Sequence, residues 1–303
     1  MRVISLKINA RIGNPLSPWQ ISRALTCCEL RPDVFWSAGF LPSARRYVPS
    51  VVTVHDLIHM HFHSWAHRVY YNNVLRPLYR RCSAIICVSE YTRSEFIDWS
   101  HVDPGHVHVV YNGVSSRFHL ATAHDRTGLR YIFYPGNKRK HKNLPMLLQA
   151  YCRSSLMREG IKLVMTGSPT SEIMSEVSGL KLSDRVVFVG LLSDEELPDW
   201  YRNAEFTVFI SLYEGFGLPI LESMAVGTPV LTSRVCAMPE VAGGAAYEVD
   251  PSDCDAIAAG MDTLLHDSDM RASLRSRGLE RAKHFSWDVS ATRTWDIVRM
   301  CAR

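Results

Sequence analysis

Two carboxylates, Glu214 and Glu222, flank a glycine turn in the stretch SLYEGFGLPILESMAVGTPVLTS, residues 211–233. Seven residues separate them. Pro219 suits the first position of a helix, so the turn opens a helix whose first N–H groups have no helical acceptor. Gly215 and Gly217 allow the backbone to come close to a ligand. A glycine turn leading into a helix start is an anion site, and a diphosphate is its usual guest. Glu222 is expected in the first turn of the helix and Glu214 on the loop before it. The acids then stand on either side of the anion site. Carboxylates accept paired hydrogen bonds from sugar hydroxyls, so one acid would hold a ribose and the other a second sugar. The loop PGNKRKHKN, residues 135–143, offers the opposite charge, with four Lys or Arg and one His after Gly136. Lys142, directly before a helix start at 144, is the best placed to meet the diphosphate. Plainer readings exist for each feature. A glutamate in a first turn often only complements the helix dipole, and a Lys/Arg run is most often a solvated loop. Spacing alone leaves open a nucleotide-sugar site, another phosphate ligand and a structural turn.

The elements that must position these residues alternate. Short apolar runs at 33–36, 51–54, 84–88, 107–110, 131–134, 162–166, 186–189, 206–210 and 229–232 read as strands. Amphipathic stretches at 68–81, 90–99, 144–153, 171–180, 194–203, 219–225, 254–266 and 269–284 read as helices. This rhythm predicts an α/β protein with mostly parallel strands. A polar segment carrying Asn-Gly, residues 111–130, reads as a linker between two such series. Ligands of open α/β sheets sit beyond the carboxyl ends of the strands. The residues there are His55 and Asp56, the 135–143 loop, Gly167, the Gly190-Leu191-Leu192 turn, and the 211–217 turn.

The chain has 303 residues, 47% hydrophobic and 21% charged, which is the balance of a globular protein with room for two domains. A net charge of +4 is too weak to argue for a nucleic-acid surface, and a positive pocket for a phosphorylated ligand accounts for it equally well. Eight cysteines, none in a C-x-x-C pair, read as reduced core thiols of a cytosolic protein. No apolar run approaches the ~20 residues of a membrane span. The first residues show no signal-peptide core. Peripheral membrane contact through basic or aromatic surface residues stays open. The segment HDLIHMHFHSWAH holds five histidines. His55, His59, His63 and His67 follow a helical spacing, but a strand end followed by a loop fits the segment better. No Cys or Glu completes a ligand set, so no metal is assigned. Ser89 reads as a helix N-cap, with Glu95 too far along for a capping box. Glu240 and Asp250 read as loop-structuring.

These residues resemble those of the family 4 retaining glycosyltransferases. The segment YEGFGLPILESMAVGTPVLTSRVCAMPEVAGGAAYEVDP is similar to their donor-binding segment. VVTVHDLIH, AIICVSEYTRSEF, VHVVYNGV, YPGNKRKHKNLPMLLQAY, LVMTG, VVFVGLLSDEELPDWYRNAEFTVFIS and FSWDVSATRTW resemble further family segments in the same order, from about residue 33 to the C-terminus. The resemblance implies the GT-B fold, two Rossmann-like domains facing a cleft. It also implies roles. Glu214 would contact the donor sugar near its reacting face, and Glu222 would hold the ribose. Backbone N–H groups of Phe216, Gly217 and Leu218 would bind the sugar and the β-phosphate. Lys142 would neutralise the leaving diphosphate, Gly136 would let the first C-domain turn approach it, and Asn137 would follow in that turn. His55 would face the transferred sugar, and Leu191 and Leu192 would lie near the base. No metal and no cofactor would be needed.

The chain departs from the family pattern in two places. His141 and Asn137 stand where members often carry an arginine, and Lys138, Arg139 and Lys140 are the available substitutes. Only about thirty residues precede RPDVFWSAGF, so the first strand–loop–helix of the N-terminal domain is expected to be missing. The organisation expected is a partial N-terminal acceptor-side domain over 1–118, a donor-binding domain over 119–286, and a C-terminal helix over 287–303 that returns to the N-domain. Trp287 and Trp295 would be interdomain packing. The expected activity is transfer of a hexose, with mannose from GDP-mannose favoured, to a glycan or lipid-linked glycan. The expected place is the cytoplasm, with the inner face of the membrane left open. The alternative reading is a non-catalytic homologue that binds a nucleotide or a partner protein.

Overall fold

The computed structural model describes residues 3–6, 8, 14–29, 31–120 and 128–302. It divides into two compact units, Met1–Tyr111 with Asp288–Arg303, and Asn112–Trp287.

In the first unit α1 (Ser17–Thr26) precedes β1 (Phe35–Ser37) and β2 (Ser50–Val54). Then come α2 (Ile58–Phe62), α3 (Trp65–Tyr70), a π turn over Tyr71–Leu75, α4 (Arg76–Tyr79), β3 (Ala84–Cys87), α5 (Glu90–Ser100) and β4 (Val107–Val109). The strands form one parallel sheet in the order β1-β2-β3-β4. Parallel strands are covered on both faces, which is why β2 and β3 are almost wholly apolar. Val52, Val54, Ile85 and Cys87 pack to one side with Tyr79 and Phe96. Val51, Ala84 and Ile86 pack to the other with Val298, which arrives on α14 (Trp287–Cys301). Trp295 of α14 meets Trp36 edge to face at 5.7 Å. Ser89 caps α5 through the Thr92 N–H at 3.0 Å, as its residue type suggests.

The second unit runs α6 (Ser116–Leu120), β5 (Tyr131–Tyr134), α7 (Leu144–Arg153), β6 (Lys162–Met165), α8 (Ser171–Gly179), β7 (Val186–Phe188), α9 (Leu197–Arg202) and β8 (Thr207–Phe209). It continues with α10 (Leu218–Ala225), β9 (Val230–Ser233), α11 (Met238–Ala242), β10 (Tyr247–Val249), α12 (Cys254–His266) and α13 (Ser268–Ala282). Its six-stranded parallel sheet has the order β10-β9-β8-β5-β6-β7. Chain order reverses between β5 and β8, so a crevice opens beyond their carboxyl ends, where such folds bind ligands.

The second unit begins at Asn112, because the segment that follows packs into it. Val114 bridges Ser286, and Phe118 lies edge to face on Tyr201 at 5.7 Å. Of the expected linker, residues 121–127 lie outside the described residues. The histidine segment is helical where a loop was expected, since α2 carries His59 and His61. The elements α1, α11 and β10 were not anticipated. The last two are short, and a pattern of three to five residues does not distinguish a strand from a turn.

Candidate functional site

The two loops at the switch point carry the charged pair. Lys142 ends a tight 3₁₀ turn, Lys140–Lys142, and Asn143 then takes a left-handed conformation (φ 59°) that starts α7. Asparagine is one of the few residues that adopts this conformation at little cost. Its side-chain amide donates to the Ile210 carbonyl at 3.3 Å and the Pro251 carbonyl at 2.7 Å, which ties the loop to the end of β8 and to the turn after β10. Leu212 N–H donates to the His141 carbonyl at 2.7 Å, a second tie between the same two loops. The Lys142 ammonium is thereby held 4.8 Å above the Phe209 ring and 2.5 Å from Glu214 Oε1. Both side chains are mostly buried, at 10% and 16% exposure. Two residues 72 apart in sequence therefore form one partly desolvated ion pair.

Next to this pair, Gly217 opens α10 with φ 108°, a conformation that suits glycine. A Cβ there would stand 3.2 Å from Ile220 Cδ1. Phe216 turns its ring into the core against Phe285 at 5.9 Å, and its backbone belongs to the turn. The N-terminal end of α10, with its positive dipole end, thus lies in the loop that carries Glu214.

Glu222 is the fifth residue of α10, not a first-turn residue as expected. It reaches toward α9, where the Tyr201 hydroxyl donates to its Oε2 at 2.6 Å. Burial raises the Glu222 carboxyl above the ordinary range, and the Tyr201 hydrogen bond pulls it only partly back. Tyr201 is itself buried, so its hydroxyl keeps its proton and remains the donor. Sequence reasoning passed over Tyr201. The only available signal was its place in the helix expected at 194–203, one helix before the one that carries Glu222.

The turns after β5, β6 and β7 lie at the same sheet edge. Gly136 takes φ 152° and donates its N–H to Thr166 Oγ1 at 2.8 Å. The exposed Asn137 side chain accepts the Arg139 N–H at 3.1 Å, and its carbonyl accepts the Tyr134 hydroxyl at 2.9 Å. Lys138, not Arg139 or Lys140, is the basic residue that folds into this edge. Its ammonium donates to the Thr166 carbonyl and sits 5.6 Å from the Phe188 ring, and burial lowers it to about 8. Gly167 and Gly190 bridge the next two turns, with the Gly167 N–H 2.6 Å from the Gly190 carbonyl. Leu191 follows, 95% exposed, and Leu192 is part-exposed.

His55 belongs to the first unit, just past β2, where its Nε2 lies 2.8 Å from the Ala38 carbonyl. Three other histidines of that segment, His59, His63 and His67, form a chain of ring contacts. The His59 ring lies 4.6 Å from that of His63 and 5.1 Å from Tyr71, and His63 lies 4.9 Å from His67. His61 pairs with Glu95 at 2.5 Å. Among the described residues no group of three His, Cys, Asp or Glu is placed to hold a metal ion. All eight cysteines are free thiols.

The sequence profile of the family described as "Glycosyl transferases group 1" matches residues 121–281, and that of "Glycosyltransferase Family 4" matches residues 2–118. The chain belongs to the group 1 glycosyl transferases. Within this family it is 37% identical over 174 residues to O-antigen chain mannosyltransferase B of Escherichia coli, covering 56% of this chain and 46% of that protein. It is 33% identical over 220 residues to the MMP alpha-(1->4)-mannosyltransferase of Mycolicibacterium hassiacum, covering 71% and 53%. The chain thus spans about half the length of these curated relatives. Its fold matches sucrose-phosphate synthase of Thermosynechococcus elongatus with a TM-score of 0.83 at 20% identity, over 97% of this chain and 82% of that one. Two Rossmann-like units with parallel sheets are the GT-B fold of this glycosyl transferase family.

Proposed function

We propose that this chain is a retaining hexosyltransferase that moves mannose from GDP-mannose to a glycan or lipid-linked glycan. The observation that carries the proposal is the Lys142–Glu214 pair, 2.5 Å apart, beside the glycine-opened start of α10 at the switch point of the sheet. The mannosyltransferase names of the two relatives support the choice of sugar.

In the proposed reaction the donor diphosphate replaces Glu214 as the partner of Lys142. Glu214 is then released toward a hydroxyl of the sugar. The bond between the anomeric carbon and the β-phosphate oxygen breaks, and negative charge grows on the diphosphate. Lys142 and the N-terminal end of α10 stabilise that charge as it develops. This is the task a divalent cation would otherwise perform, and so the reaction is proposed to be metal-independent. The acceptor hydroxyl bonds to the anomeric carbon from the face the diphosphate leaves, and its proton passes to the departing phosphate oxygen. A nucleoside diphosphate and a retained glycoside result. Glu222, with Oε2 held by Tyr201, offers Oε1 to the ribose. The backbone of Gly136, Phe216, Gly217 and Leu218 receives the phosphates and sugar, and the Gly190-Leu191-Leu192 turn receives the base.

No described helix is long and apolar enough to cross a membrane. A cytoplasmic site of action fits the eight free thiols. A lipid-linked acceptor would bring the chain to the membrane face, where Trp65, 78% exposed on α3, is available for contact.

The test is turnover of a panel of nucleotide sugars by the wild type and by Glu214→Ala, with and without EDTA. Turnover of GDP-mannose above the other donors, unaffected by EDTA and lost in Glu214→Ala, is expected. Preference for a uridine donor would overturn the donor assignment. A Glu214→Ala variant that reacts as fast as the wild type would overturn the site.

A further inference from the structure

The break AVGTP, residues 225–229, follows α10 and plays no part in the donor site. It precedes β9, just as Ala204 and Glu205 precede β8, so these residues lie at the amino ends of the parallel strands. The donor site lies at their carboxyl ends. A cavity of about 300 Å³ opens at this opposite edge, lined by Arg202, Glu205, Gly227, Thr228, Arg271 and Arg275. That is the lower end of small-molecule pocket sizes, with room for a phosphate and a compact organic group.

Three guanidinium groups line this space, and the acids near them are Glu205 in the wall and Asp199 on the helix of Arg202. Glu205, the acid of the wall, is held 2.9 Å from Arg130, so its charge is already compensated. Arg271 spends Nη1 on the last carbonyls of α12, those of Leu264 and Leu265. The Arg202 Nε is buried and has no hydrogen-bond partner. No acid among the described residues forms an ion pair with Arg202, Arg271 or Arg275. Burial and the neighbouring Arg275 charge lower Arg202 from the usual arginine value, and Asp199 on the same helix offsets part of this. Gly227 takes φ 80°, and a Cβ on it would stand 3.2 Å from Arg275 Nε, so the glycine turn forms the floor over which Arg275 lies. An unpartnered buried guanidinium N–H is costly, and mutually repelling guanidinium groups are relieved by an anion between them.

We propose that the second unit carries a second anion site, formed by Arg202, Arg271 and Arg275 at the sheet edge opposite the donor site, which binds a small phosphate-bearing molecule. The planar guanidinium group pairs two N–H donors with two phosphate oxygens, a match that a lysine cluster lacks. The phosphate is that of a free phosphomonoester or of a lipid headgroup.

The experiment uses the full chain. Glucose 6-phosphate and inorganic phosphate are titrated by calorimetry. Phosphatidylcholine vesicles, with and without phosphatidic acid, are tested by flotation. Each probe is run against the wild type, Arg202→Gln, Arg275→Gln and Lys142→Ala. Removing one charge-assisted pair should weaken binding ~10-fold in each arginine variant and leave it within about twofold in Lys142→Ala. Arg275 is exposed, so Arg275→Gln is expected to keep the wild-type fold by circular dichroism even if Arg202→Gln does not. Binding of glucose 6-phosphate that follows this pattern supports a free phosphomonoester. Flotation that depends on phosphatidic acid and on Arg275, without glucose 6-phosphate binding, supports the lipid headgroup. The proposal is overturned if no probe binds, if Arg275→Gln binds as well as the wild type, or if Lys142→Ala alone abolishes binding. The last result would place the phosphate in the donor site.

Discussion

Lys142 and Glu214 satisfy each other's charge, and this pairing matters for both stability and rate. Neither side chain is left as an uncompensated charge in a mostly buried place. Lys142→Ala removes the cation that meets the leaving diphosphate and also leaves Glu214 without its partner. Turnover should fall about 10²–10³-fold, the usual effect of losing one donor to a developing negative charge. Denaturant unfolding should show a loss of about 1–3 kcal/mol. Glu222 gives a pH signature. Its carboxyl is shifted upward in the folded chain by burial, so below the ordinary glutamate value of about 4.3 it is protonated in both states and its contribution is fully present. As pH rises through the shifted value, ionising the buried group costs stability. The wild type should therefore lose stability relative to Glu222→Gln as pH rises above the ordinary glutamate value of about 4.3, as thermal melts from acid to neutral pH would show. An unchanged difference would mean that the carboxyl is not buried in solution. At this scale the residue types were readable in the sequence, and the partners were not. Lys142 and Glu214 could be named as one site, but the ion pair between them depends on two loops brought together by the reversal of strand order.

The start of α10 is the element on which the donor site turns. Gly217 was readable as a special position because a Gly-Leu-Pro run marks a helix start, and its φ of 108° shows what the glycine is for. Gly217→Ala should cost about 1–3 kcal/mol through backbone strain and contact with Ile220, and should raise the donor KM by moving the N–H groups. Urea unfolding and donor kinetics on the same variant would check both effects. The strain reading fails if the alanine variant is as stable as the wild type. The placement of Glu222 in the first turn was wrong, because the helix begins at Leu218 and the glutamate is its fifth residue. There its side chain leans toward α9 and not toward the helix end. The histidine segment was misread as a loop for a similar reason. One turn of helix is too short to show a period, and α2 is fixed by packing of Ile58 and its neighbours rather than by pattern.

On the scale of the whole molecule, the chain forms two units, and α14 completes the first of them from the far end of the sequence. Val298, 2% exposed, closes the face of the sheet formed by Val51, Ala84 and Ile86. Val298→Asp places an unpaired charge in that face and should cost about 3 kcal/mol or more. The loss should appear as a lowered first transition in calorimetry, with the transition of the second unit unchanged. A single shifted transition would mean that the units unfold together. The sequence by itself determined the alternation of strands and helices, the basic loop, the glycine turn and the family. Each of these is a local pattern, set by side-chain periodicity and by the few residues that tolerate a given backbone angle. Only the tertiary structure decided that Lys142 lies against Glu214, that Tyr201 holds Glu222, that Lys138 folds inward while Arg139 does not, and that three arginines from two helices surround one cavity. Those facts depend on strand order and on helix packing, where residues far apart in sequence become neighbours through burial that no local window records.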